Sequence, residues 1–145
     1  MGNQDVTTHK FVAILSKKVE VGKIMNALGH MSIGLVASAH PDMIKEMGFV
    51  DYADKDGTFH KSLSKNSFVI LQADNGNQIR TARLAAIAKS IHFIDFTNTM
   101  QTGTYLEQLE TTRQTPEAQL DYYGIILFGK IEEVSEITRK FSLWR

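Results

Sequence analysis

A chain of 145 residues with 43% hydrophobic and 22% charged side chains has room for one core and lacks the composition of a disordered or membrane-embedded protein. Sixteen basic residues against sixteen acidic ones leave no net charge, so no general positive field draws in a polyanion, which disfavours a nucleic-acid partner. The absence of cysteine removes disulfides and thiolate chemistry, and no apolar run reaches the roughly 18 residues of a membrane span, so a cytoplasmic location is expected.

Residues 1–9 read as a polar N-terminal tail. The opening Met1-Gly2 suggests myristoylation, but that motif asks for Ser or Thr where this chain has Val6. Phe11 to Leu15 (FVAIL) is a β-branched and aromatic run, the pattern of a buried strand. From Val21 to Ala39 apolar residues fall on most sides of a helix, which must end before Pro41 because proline disfavours helical geometry in the residue preceding it. Pro41 to Met47 is a short helix, and residues 54–57 (Asp-Lys-Asp-Gly) form a turn between two extended segments.

A second strand covers Ser67 to Ala73. Asp74 and Asn75, both capping types, lead into a helix over Gln78 to Ser90, and Ile91 to Phe96 is a third strand. Thr97 to Tyr123 is a long, largely polar connection with a helical piece around Tyr105 to Thr112. Its acidic residues make it a lid or interaction segment. Gly124 to Phe128 is the last strand, followed by a helix over Glu132 to Lys140. The alternation predicts one α/β domain.

Lys23, Asn26 and His30 are the long polar residues of the first helix. At about 100° per residue they lie within about 60° of one another. Their stripe starts where the first strand ends, the edge at which open α/β sheets bind ligands. Two readings stay open: a site, or a snorkelling lysine beside two groups that satisfy backbone. Lys10, Lys17, Lys18 and Lys23 are read in the same way as a solvated basic rim.

Asp95, Thr97, Asn98 and Thr99 follow the third strand. If that strand runs parallel to the first, they open on the same sheet edge as Lys23, and a carboxylate there suits a general base. The alternative is a turn in which these side chains bond their own backbone. The five histidines (9, 30, 40, 60 and 92) show no metal-ligand spacing, so no metal site and no cofactor are expected.

The segments FVAILSKK, VGKIMNALGHMSIGL, SFVILQAD, IHFIDFTNTMQTG and YYGIILFGKIEEVSEITRKFSLW resemble a bacterial family known only as a domain of unknown function, number two thousand in its series. The likeness spans Lys10 to Trp144 and is most specific at Asn26 with His30, at Asp95 to Gly103, and at the block ending in Gly129. That family is in turn similar to the second-class peptidyl-tRNA hydrolases, whose first helix opens with Gly-Lys and carries His seven residues beyond the Lys, like Gly22, Lys23 and His30 here. Their Asp-Ala-Gly-x-Thr segment is matched at Asp95 and Thr99. Departures are Ala27 where those enzymes have Gln, Phe96-Thr97 in place of Ala-Gly, and the longer acidic connection.

The resemblance implies a three-layer α/β/α fold with a mixed sheet of about four strands, like that of the second-class peptidyl-tRNA hydrolases. It also implies a hydrolase-like site in which Asp95 orients water, Lys23 and His30 stabilise an oxyanion, Thr99 completes the catalytic set, and Asn26 and Thr97 bind ligand. Three functions follow as expectations: a module binding a small polar or anionic ligand on that stripe, a hydrolase of peptidyl-tRNA or a related ester, or a homo-oligomeric interaction protein, in the simplest case a dimer, whose acidic segment docks a partner.

Overall fold

The computed structural model describes residues 6–145. Residues 1–5, most of the expected tail, lie outside the described residues, whereas His9 already begins the first strand.

Strand β1 (His9–Ser16) sits inside the sheet with both faces covered, which is why its sequence is a continuous apolar run and not an alternating one. The sheet has five strands in the order β5 (His92–Thr97), β6 (Tyr122–Lys130), β1, β4 (Ser67–Ala73), β7 (Ser142–Leu143). β1 and β4 are parallel; β6 is antiparallel to both β1 and β5, and β7 is antiparallel to β4. The count thus exceeds the four strands expected, because the terminal Ser142–Leu143 adds a short edge strand against Leu71 and Gln72. Two further strands, β2 (Phe49–Ala53) and β3 (Phe59–Ser64), form a separate hairpin around the expected turn.

Helices cover both faces of the main sheet. On one face α1 (Val21–Ala37) and α2 (Pro41–Met47) pack Ile24, Ala27, Met31, Leu35 and Met47 onto Phe11, Ala13, Ile126 and Phe128. On the other, α3 (Gly76–Ala88) and α5 (Ile131–Thr138) pack Ile79, Ala82, Ala86, Val134 and Ile137 onto Val12, Ile14, Ile125 and Leu127. Each large aliphatic side chain buried in this way stabilises the fold by about 1.5–3 kcal/mol.

Local chemistry sets the helix ends. Asn75 caps α3 by accepting from the Gln78 amide at 3.1 Å. The α3 start lies so close to β6 that a Cβ on Gly76 would sit 2.9 Å from the Tyr122 amide nitrogen. Pro41 opens α2, and Gly48, at φ 58°, ends it in a left-handed turn that starts the hairpin.

The connection between β5 and β6 holds a 3-10 turn (Asn98–Met100), the helix α4 (Tyr105–Gln114) and a second 3-10 turn (Glu117–Gln119). Thr104 and Glu107 form a capping box on α4, which buries none of its residues.

Candidate functional site

β1 and β5 are both antiparallel to β6, hence parallel to each other, and the end of β5 opens on the edge where α1 begins. The expected juxtaposition of the two polar clusters in fact stops at that edge. Side chains alternate along a strand, so Phe96 faces α1, where its ring lies 6.2 Å from that of His30, while Asp95 faces α3. There Arg83 Nε donates to Asp95 Oδ2 at 2.8 Å. The guanidinium also lies over the rings of Phe93 at 5.5 Å and Tyr122 at 5.9 Å. The sheet itself separates Asp95 from Lys23 and His30, so the structure does not bring the expected catalytic group together.

Lys23, Asn26 and His30 are exposed on one flank of α1, and none of them makes a hydrogen bond or ion pair with the described residues. They line none of the cavities described below. Thr97 and Thr99 are buried. Thr99 Oγ1 lies 2.8 Å from both Thr97 Oγ1 and Thr112 Oγ1, and Thr112 reaches the Gln108 carbonyl at 2.7 Å. Each hydroxyl can therefore donate once along a chain that ends on α4. Asn98 exchanges hydrogen bonds with Asp121: its amide donates to the Asp121 carbonyl at 2.9 Å, and its side chain accepts from the Asp121 amide at 3.0 Å. This cluster spends its polar groups on anchoring the long connection.

A second paired network lies on the α3 face. Glu117 Oε2 accepts from the Tyr122 hydroxyl at 2.8 Å and from Arg80 Nε at 3.0 Å. Burial and the bond to Glu117 push the Tyr122 hydroxyl up to about 12. Glu117 is held below its usual range by the Tyr122 bond and then by Arg80.

The open space lies elsewhere. Between α1 and the hairpin is a groove of about 430 Å³, floored by Phe11, Phe68 and Ile126 and walled by Leu35, Val36, Phe49 and Leu63. Of the four polar residues on its wall, Ser32, Ser62, Ser64 and Asn66, all but Ser62 already have partners. Ser32 Oγ donates to the Leu28 carbonyl at 2.8 Å, Ser64 Oγ donates to the Met47 carbonyl, and Asn66 Nδ2 donates to the Glu46 carbonyl at 2.7 Å. Val21, Met25, Ser32 and Val36 lie within about 60° on the α1 flank opposite the polar stripe, so the same helix separates a polar side from an apolar one.

A second cavity, about 390 Å³, lies at the opposite sheet edge. It gathers His9, His40 and His92 from β1, the α2 cap and β5, together with Asp42, Glu46 and Lys130. His92 Nε2 donates to the Leu35 carbonyl at 2.8 Å, His40 Nδ1 accepts from the Asp42 amide at 3.1 Å, and His9 Nδ1 lies 3.5 Å from Glu46. Sequence spacing gives no sign of this grouping, because the three residues meet only when strand starts are aligned. Among the described residues no three His, Asp or Glu side chains are placed to hold a metal ion.

Among the described residues no helix is long and apolar enough to cross a membrane. The molecule is an α/β domain with a mixed five-stranded sheet, helices on both faces and an apolar groove beside the first helix. It belongs to the family described as protein of unknown function (DUF2000), whose model matches residues 9–145. Among solved structures it is similar to the protein of unknown function Atu0240 from Agrobacterium tumefaciens strain C58, at a TM-score of 0.79 and 19% identity over 97% of this chain and 100% of that one. That likeness is one of fold. No curated protein matches the chain.

Proposed function

We propose that the protein is a non-catalytic binding module whose working surface is the groove between α1 and the β2–β3 hairpin. One observation carries this reading: the groove is lined mainly by apolar side chains, and of the four polar residues on its wall Ser32, Ser64 and Asn66 are bonded to backbone, which leaves the Ser62 hydroxyl as its one free polar side chain among the described residues. Such a wall discriminates by shape and desolvation, and its volume is in the range of small-molecule sites. The ligand class is therefore apolar. Asp95 paired to Arg83 behind the sheet, with zero net charge, supports binding over hydrolysis of peptidyl-tRNA.

The test is a fluorescence titration of submicromolar protein with the neutral apolar dye Nile red. Saturable enhancement should appear in the native protein and be lost in Val36→Glu, which puts a charge on the groove wall. Equal enhancement in both, with unchanged far-UV circular dichroism, would sink the proposal. A second reading, a small polar or anionic ligand on the exposed stripe of Lys23, Asn26 and His30, is favoured by the free polar atoms of those three side chains. It calls for a Lys23→Ala effect on anion binding that Val36→Glu does not reproduce.

A further inference from the structure

Asn66 stands just before β4 and is only 7% exposed, yet it lines the groove. Its side-chain nitrogen spends both hydrogens on the end of α2: Nδ2 donates to the Glu46 carbonyl at 2.7 Å and to the Met47 carbonyl at 3.1 Å. That pairing fixes the direction of the amide, because turning it over would press Oδ1 against two carbonyl oxygens. The backbone is held as well, with the Asn66 amide donating to Ser64 Oγ at 3.0 Å.

Oδ1 is left over. Both hydrogen bonds of the side chain run through its nitrogen, and the oxygen accepts none from the described residues although it has two lone pairs. Among those residues no fully buried side-chain nitrogen or oxygen lacks a partner, so Oδ1 keeps an open side. The open space that Asn66 lines is the groove. Polar groups of buried residues are ordinarily paired, and one closed off without a partner is costly.

The rest of the lining sets the remaining chemistry. No side chain around the groove is charged, so a charged ligand would give up its hydration with no ionic partner in return. On the floor, Phe11 and Phe68 stack with ring centroids 5.6 Å apart and offer flat apolar surface. Ser64 Oγ already donates to the Met47 carbonyl and accepts from the Asn66 amide. Ser62 is exposed, and its hydroxyl can rotate toward water, so it discriminates less than an oxygen whose direction is fixed.

We propose that Asn66 Oδ1 determines the specificity of the groove and selects uncharged, mainly apolar molecules that carry a hydrogen-bond donor, a hydroxyl or a secondary amide N–H. The proposal rests on the groove reading and narrows its ligand class. A hydrocarbon or ether of the same shape buries the same surface but cuts Oδ1 off from water and leaves it unpaired. Discrimination therefore comes from the loss that the wrong ligand imposes on the protein.

Displacement of Nile red from the full chain by 2-naphthol and by 2-methoxynaphthalene near neutral pH tests this. The two competitors share a ring system, and only the naphthol has a proton to donate. Nile red has no donor, so its binding reports the groove reading alone. The native protein should prefer the naphthol by about tenfold or more, the factor that one hydrogen bond is worth. In Asn66→Ala, checked for native circular dichroism, the preference should vanish. In Ser62→Ala, at an exposed position, it should stay within about twofold of native. If Asn66→Ala does not fold, the native ratio and Ser62→Ala still decide. Equal displacement of bound dye by the two competitors overturns the proposal and keeps the groove reading. A preference lost in Ser62→Ala, or kept in folded Asn66→Ala, overturns it as well. A native protein that does not bind Nile red removes the groove reading and the proposal with it.

Discussion

Replacing Asp95 by alanine distinguishes a structural carboxylate from a catalytic one. Its Oδ2 accepts from Arg83 Nε at 2.8 Å, with 17% of the Asp95 side chain exposed and 27% of that of Arg83. A hydrogen bond between charged groups contributes about 1.5–3 kcal/mol. Both side chains keep a path to water, so the about 3–5 kcal/mol lost when a fully buried pair is broken is an overestimate here, and we expect about 2 kcal/mol. For a chain of this length that corresponds to a Tm lower by about 4–8 °C. Arg83→Ala should cost at least as much, since it also removes the stacking over Phe93 and Tyr122. The double variant should be less destabilised than the sum by about 1–2 kcal/mol, the signature of contacting residues. Urea unfolding followed by circular dichroism on the four proteins measures all of this. Strict additivity would refute the pairing, and an Asp95→Ala protein of native stability that had lost an ester-cleaving activity would make the carboxylate catalytic.

Other expectations are equally direct. The Tyr122 hydroxyl, raised from an ordinary value of 10 to about 12, holds its proton more tightly in the folded state. It therefore contributes stability below pH 10, on the order of 2 kcal/mol, that is lost between about pH 10 and 12; Tyr122→Phe should flatten that part of a stability-versus-pH curve. Gly76→Ala, whose Cβ would meet the Tyr122 backbone nitrogen at 2.9 Å, should destabilise by about 1–3 kcal/mol in chemical unfolding, and an unchanged midpoint would mean that α3 can move away from β6 freely. Thr99→Val cuts the hydroxyl chain between Thr97 and Thr112 and should speed amide exchange in α4 while leaving β1 protected.

Much of the framework is local and therefore legible in the sequence. The run Phe11 to Leu15 reads as a strand because both its faces are covered, and Asn75 marks the start of α3 because its side chain satisfies an otherwise unpaired amide. Lys23, Asn26 and His30 share a flank of α1 because helical geometry alone puts them there. What covers each face is not local. The last long strand, β6, inserts between β5 and β1, and Ser142–Leu143 becomes a fifth strand only because β4 has an open edge.

The same division runs through the candidate site. Asp95 stands between Ile94 and Phe96, and strand alternation alone puts it on the face opposite theirs; that Arg83 waits there is decided by how α3 packs. His9, His40 and His92 have no common spacing and meet because three element ends are stacked at one sheet edge. The groove depends on α1 and an apolar hairpin flanking β4, a relation among segments distant in the chain. Periodicity records which side of its own element a residue occupies, and only packing determines what lies opposite that side.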